Sequence, residues 1–419
     1  MRPRLLAFAL LLTLGGGAKA ATVLIRDATV HTVTDAGVRP HTDILIRDGY
    51  VVELGPALRA PADAVLIEAA GRAVTPGLFG GAGHLGIEEI GLEPTVDDYA
   101  LKLGSMRPEF DVTPAFDPDS VVLGVGRLGG VSFAQLAPTA ESGGKGAGGT
   151  IIAGQGALVR LDGTVANTRA LFIATGGAAN ALSGDTRAAQ FMLLQQALTE
   201  VHAPKLLLAN DARLLTPAGR QALADYSAGA RCVVFDVNRA SDIRQVLAFA
   251  KREHLRAALR GADEAWRVAA ELAAAGVPVL LDPLDDLPES FDSVGATLEN
   301  AARLQRAGVK IAFSFNDPQP HNVRKLRQGA GIAVAHGLPR EAALAALTRN
   351  PAEIFGVADR NGSIARGRVA DLVLWSGDPL EVTSLADEVF IQGVRQSMHS
   401  RQTELRDRYL PKLRAHAAR

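Results

Sequence analysis

Two periods of hydrophobic and polar residues divide this chain. From residue 22 to 68 the apolar positions come in short β-branched runs: Thr22-Val23-Leu24-Ile25, Thr29-Val30-His31-Thr32-Val33, Asp43-Ile44-Leu45-Ile46-Arg47, Tyr50-Val51-Val52 and Val65-Leu66-Ile67. Asp48-Gly49 stands between two of them, a strong two-residue hairpin signal. The far end has the same texture. Asp371-Leu372-Val373-Leu374-Trp375 and Val389-Phe390-Ile391 read as strands punctuated by Gly367, Gly377, Asp378 and Pro379.

The middle has a different rhythm. Residues 232–236, 256–260, 277–281 and 309–315 are apolar strand-like runs. Between the first two, Ile243, Val246, Leu247 and Ala250 recur at helical spacing. Asp263 can cap a helix with Ala265, Val268, Ala269 and Leu272 on its apolar face and Gly276 at its stop. Another helix is expected over 322–335. Strands alternating with helices predict parallel strands with crossover connections. The length between the two β pieces suits a TIM-like (β/α)8 barrel. The expected fold is therefore α/β: a barrel over 75–356 plus a small β-sandwich domain built from both termini, 21–74 and 357–399. An open doubly wound sheet is the alternative. The tail, 400–419, predicts an amphipathic helix packed on the body and ended by Pro411.

Two stretches break the pattern. Arg2 and Arg4, the apolar run Leu5–Leu14, three glycines and Ala18-Lys19-Ala20 have the form of a secretory signal cleaved after Ala20. The expected location is the periplasm or the exterior, with residues 1–20 removed and no stable membrane insertion. The second stretch, 138–156, holds Lys145 among seven glycines. It fails the phosphate-loop pattern, because Gly146 follows the lysine where a hydroxyl must reach magnesium. A loop over the barrel mouth is expected here instead.

Composition adds exclusions. Hydrophobic residues are 47% and charged residues 21%, an ordinary globular balance. A formal net charge of −1 and 5% aromatics give no field or stacking surface for nucleic acid. A small-molecule substrate is the expected partner, and association into homo-oligomers is left open. Cys232 is the single cysteine, which excludes intrachain disulfides and a cysteine zinc site.

The segment Val74-Thr75-Pro76-Gly77-Leu78-Phe79, running into Gly80-Gly81-Ala82-Gly83-His84, resembles the first barrel strand of the amidohydrolase superfamily, imidazolonepropionase-like branch. Leu347-Thr348-Arg349-Asn350-Pro351-Ala352, Gly362-Ser363-Ile364, Ala370-Asp371-Leu372-Val373 and Gly377-Asp378-Pro379 extend the resemblance in the same order along nearly the whole mature chain. It implies hydrolysis at a carbonyl by metal-activated water. In the family the first strand runs Asp-Ala-His-x-His, and residues i and i+2 on a strand point the same way, so two imidazoles converge on one cation. Here the first histidine position is Ala82, the aspartate position is Gly80, and His84 alone remains.

The remaining ligand positions are altered too. The fifth-strand histidine position corresponds to Asp236, and the sixth-strand stretch 259–265 has no histidine. At the eighth strand Asp317 corresponds to the family's metal-binding, proton-accepting aspartate, with Asn316 as a competitor in register. A structural zinc site gains roughly 10–16 kcal/mol, about 3 per ligand, so losing two or three imidazoles removes about 6–9 kcal/mol. The expectation is at most one divalent ion, zinc, manganese or magnesium, held weakly by His84, Asp236 and Asp317. Asp317, His84 and His321 are the candidate catalytic groups. Asp236 and Asp263 also suit helix capping, Asp282, Asp285 and Asp286 a solvated acidic turn, and Glu88 and Glu89 a loop. Three functions remain open: a hydrolase of C–N bonds in amides, cyclic amides or dipeptide-like compounds; a non-catalytic binding barrel of the cell envelope; and a barrel enzyme with metal-free chemistry.

Overall fold

A computed structural model of the chain describes residues 21–91, 93–142, 150–206, 213–317 and 319–417. The expected signal, residues 1–20, and the centre of the glycine-rich stretch, 143–149 with Lys145, lie outside the described residues.

The termini build one sheet. Its strands are β1 (Val23–His31), β2 (Val38–Arg47), β3 (Tyr50–Gly55), β4 (Val65–Glu68) and β5 (Ala73–Pro76) from the N-terminal side. The barrel strands are β6 (Leu78–Gly83), β7 (Val131–Leu136), β8 (Ile152–Arg160), β9 (Val165–Ala174), β10 (Cys232–Val237), β11 (Arg256–Gly261), β12 (Val279–Leu281) and β13 (Ile311–Phe313). The C-terminal side adds β14 (Leu372–Trp375), β15 (Ala386–Ile391) and β16 (Val394–Arg395). The terminal sheet runs β16-β15-β14-β5-β1-β2-β3, with β4 also paired to β1. The Asp48-Gly49 hairpin forms as expected, joining β2 to β3 with Arg47 opposite Tyr50 and both turn residues at positive φ.

The second sheet orders its eight strands β13 to β6 consecutively, the predicted α/β barrel. One strand departs from the all-parallel expectation. β8 is antiparallel to both β7 and β9. The reason is local: Asp162-Gly163 makes a tight turn, with Gly163 at φ +90 and Arg160 N–H donating to Thr164 O. A hairpin thus replaces one helical crossover.

Inward and outward positions alternate along each barrel strand, as period two requires. Val233 and Phe235 pack outward with Leu259, Leu281 and Phe313 against the helices. Cys232 and Val234 pack inward with Phe79, Phe133, Phe172, Ala258, Leu280 and Ala312, closed by Phe355. Cys232 is buried and free, a small core residue. The helix Ala240–Arg252 shows why these sequences choose helix. Ile243, Val246, Phe249 and Ala250 bury one face, while Asp242 in the first turn and Lys251 and Arg252 in the last oppose the macrodipole. The expected 322–335 helix begins as a 3-10 turn, Pro320–Lys325, before Leu326–Ala335. The tail helix spans Arg401–Ala417 and runs through Pro411 rather than ending there. It lies largely exposed, where one missing N–H bond is tolerable.

An ion pair and a buried ring clamp the terminal sheet to the barrel. Arg160 at the end of β8 donates to Asp371 Oδ2 at 2.6 Å and to Asn361 Oδ1 at 2.9 Å. Trp375 is fully buried, its Nε1–H donating to Thr75 Oγ1 at 2.9 Å. Gly130, at φ +79, lets the backbone pass Trp375: a Cβ there would lie 2.7 Å from Trp375 Cζ2. Gly130→Ala combines a left-handed backbone with overpacking, so a loss of about 2–4 kcal/mol is expected. Chemical denaturation of the two proteins checks it.

Candidate active site at the barrel mouth

Chemistry on a barrel sits beyond the C-terminal ends of its strands. Five of these ends carry the polar groups here: β6, β10, β11, β12 and β13.

His84 follows β6 and is 3% exposed. Its Nδ1 lies 2.7 Å from Glu88 Oε2 and its Nε2 3.0 Å from Thr139 Oγ1. The ring stacks on Tyr99 with centroids 3.9 Å apart. A carboxylate at Nδ1 places the proton there, so Nε2 accepts from the threonine hydroxyl. Burial holds the imidazole pKa below its ordinary value, opposed by Glu88, so the ring is neutral at neutral pH. Glu88 is itself buried, not a solvated loop carboxylate.

Asp236 continues the inward row of Cys232 and Val234 on β10. Arg260 does the same on β11, directly opposite in register. The guanidinium binds the carboxylate in a fork, Nε to Oδ1 at 2.6 Å and Nη2 to Oδ2 at 2.8 Å. Its Nη1 donates to Ala82 O at 3.1 Å, and its face covers Phe172 at 5.2 Å. Asp236 therefore neither caps a helix nor presents a free carboxylate.

The glycines of β6 serve close approach. A Cβ on Gly81 would lie 3.1 Å from Ser314 Oγ, and that hydroxyl accepts from Ala82 N–H at 3.0 Å, bridging β6 to the chain beyond β13.

A second group lies beyond β11, β12 and β13. Asp263 and Asp285 hydrogen-bond each other, and Asn316 Nδ2 donates to Asp285. Asp282 accepts from Asn316 N–H at 3.0 Å and Leu284 N–H at 2.9 Å. Burial raises all three carboxyl pKa values, and the neighbouring carboxylates raise them further. Asp285 is pushed up to about 8, so the Asp263–Asp285 pair keeps a proton at neutral pH. This group is more than a solvated acidic turn, and Asp263 joins it rather than serving as a helix cap. The connection after β12 is tied down by Asp292, which pairs with Arg187 and accepts from Gly177 N–H.

Asp317 is exposed and turns away into its own loop, accepting from Gln319 N–H at 3.2 Å and Asn322 Nδ2 at 3.3 Å. Its competitor Asn316 contacts the acidic group instead. His321 is exposed on the 3-10 turn. His84, Asp236 and Asp317 are thus each paired elsewhere and are not gathered as one ligand set. Among the described residues no group of three or more His, Cys, Asp and Glu is arranged to hold a metal ion.

The donors present do not fit the divalent ion that the resemblance implies. His84 has no free ring nitrogen, Asp236 has both oxygens engaged, and Ala82 supplies only a carbonyl already in use. A unit charge pair at 4 Å is worth about 4 kcal/mol at an effective dielectric of 20, and a divalent ion beside the Arg260 guanidinium would meet about twice that as repulsion. Arg260 and Thr139 are site residues that the sequence did not single out, and Glu88 stands in the site rather than in a solvated loop. A signal for Arg260 was present: a charge two residues beyond Ala258 in an inward-facing row.

The Amidohydrolase family model matches residues 219–398. Amidohydrolase tasK of Hapsidospora irregularis is 44% identical over 61 residues, 15% of this chain and only 6% of that protein's length. The crystal structure of an amidohydrolase from Thermotoga maritima MSB8 superposes with a TM-score of 0.79 at 25% identity, covering 90% of this chain and 99% of that one. Molinate hydrolase gives 0.54 at 18% identity over 91% and 96% of the two chains. A mutant of the atrazine chlorohydrolase TrzN from Arthrobacter aurescens TC1, complexed with zinc and atraton, gives 0.50 at 17% over 94% and 99%. The last two likenesses concern the fold alone.

Protonation of Asp285 generates a stability test. Its folded pKa of about 8 exceeds the unfolded value near 3.8, so the native state binds the extra proton. Its contribution is fully present below the unfolded value and is lost as pH rises through about 8. Relative to Asp285→Asn, the wild-type melting temperature is expected to decline between those pH values and to run parallel outside them. Calorimetry on both proteins from about pH 3.5 to about pH 9 measures this.

Proposed function

We infer that this chain, an amidohydrolase-superfamily protein by its fold and by its matched residues 219–398, is a hydrolase that cleaves a C–N bond of a small molecule at the barrel mouth. The observation that carries the mechanism is the proton-holding Asp263–Asp285 pair beside Asn316. The ionised carboxylate of the pair takes a proton from water as its oxygen bonds to the substrate carbonyl carbon. The carboxylic acid of the pair donates its proton to the departing nitrogen as the C–N bond breaks, leaving a carboxylic acid and an amine. Two like carboxyls sharing one proton suit this division, because they cannot both ionise. Arg260 has five N–H groups and spends three on Asp236 and Ala82, so two remain to balance charge on the carbonyl oxygen.

Amides, cyclic amides and dipeptide-like compounds are the substrate classes. Export after Ala20 would make them compounds met in the periplasm or outside the cell, and N-terminal sequencing of the mature protein would read the cleavage.

A second reading has its own support. The engaged state of His84, Asp236 and Ala82 favours a barrel that binds such a compound without turning it over. One panel separates the two: N-acyl amino acids, cyclic imides and dipeptides, each followed for released amine and for thermal shift. Turnover is expected, with Asp263→Asn and Asp285→Asn each lowering kcat by about 10²–10⁴-fold, the usual worth of a general acid or base. Thermal shifts without turnover would favour the binding barrel, and turnover indifferent to both substitutions would remove the carboxyl pair from the mechanism.

A further inference from the structure

We propose that the guanidinium of Arg260 is the resident cation of this barrel, built into the chain where the fold family's implied metal ion has no ligands left. Three positions that the family resemblance marks for metal binding now serve one another. Position 82 offers its carbonyl, position 236 its carboxylate, and the sixth-strand stretch its Arg260. These three groups satisfy one another directly, at 2.6, 2.8 and 3.1 Å.

Geometry makes the exchange physically coherent. A forked guanidinium matches the two oxygens of a carboxylate, a match that a lysine ammonium lacks. β10 and β11 hold the two residues side by side in register, so no side chain must reach across the barrel. Phe172 floors the guanidinium on its apolar side. Arg260 is 14% exposed, so the charge is nearly desolvated and depends on these partners. Removing either member alone strands the other in the barrel, whereas removing both leaves an apolar mouth. His84 points to the same conclusion from another side: its second nitrogen, which would face a metal, is occupied by Thr139.

The test uses the full mature chain and needs no substrate, so its outcome is separate from that of the hydrolase assay. The purified protein is incubated with zinc or manganese, desalted, and measured for bound metal and melting temperature. Less than about 0.1 ion per chain and a melting temperature unmoved by either metal or by chelator are expected. Arg260→Met and Asp236→Leu are each expected to lower the melting temperature by about 5 °C or more, while the double variant lies above both singles. One tightly held ion per chain, with a melting temperature that falls on chelation, would overturn the proposal. So would an Arg260→Met protein as stable as wild type. If a single variant fails to fold, the metal measurement on the wild-type chain decides alone.

Discussion

The mouth of this barrel is organised by one forked ion pair. Asp236 and Arg260 face inward from adjacent strands, the guanidinium 14% exposed and the carboxylate 31% exposed. Net stabilisation from such a pair is small, because desolvation offsets most of the attraction. Its consequence lies in what it forbids. With Asp236 forked and Ala82 O engaged, the Arg260 guanidinium is fixed in the inner layer of the mouth and its partner oxygens are all in use. A second set of carboxyls, Asp263, Asp282 and Asp285, stands beyond the ends of β11, β12 and β13.

Burial and mutual proximity explain why this acidic group titrates as it does. Asp263, Asp282 and Asp285 are partly or wholly shielded from water, and each lies in the field of the others. Burial and like charge therefore act in the same direction, and the group retains a proton that an isolated aspartate would lose. Asn316 fits this state, because its amide donates to Asp285 while its backbone N–H donates to Asp282.

The frame of the molecule was legible in the sequence, because periodicity reports it directly. The Asp48-Gly49 turn, the strands near 232 and 256, the Gly276 stop and the shared terminal sheet all follow from local rules. The antiparallel β8 was less accessible, since Asp162-Gly163 falls between runs whose direction only pairing fixes. The site was partly legible. Ala82 and Gly80 announced an altered centre, and Asp236 was correctly expected at a strand end. What a strand end cannot declare is its neighbour. The partner of Asp236 lies 24 residues away, that of His84 on one side 55 residues away, and that of Asp285 31 residues away. Side-chain pairing across a barrel is set by register, which one chain read alone leaves open.

Contacts between distant segments at a barrel mouth fix its shape. This chain has several such fastenings at that end. Ser314 bridges to β6 through Ala82, Asp292 ties the connection after β12 to Gly177 and Arg187, and Glu264 accepts from Ala240 N–H and Gly295 N–H. Each bond joins segments distant in sequence near strand ends, which is the work a coordinated ion would do at one point. Neutral and ionic hydrogen bonds together distribute that work over several strand ends. Gly81 belongs to the same arrangement: it brings β6 close enough for Ser314 to act as the seam.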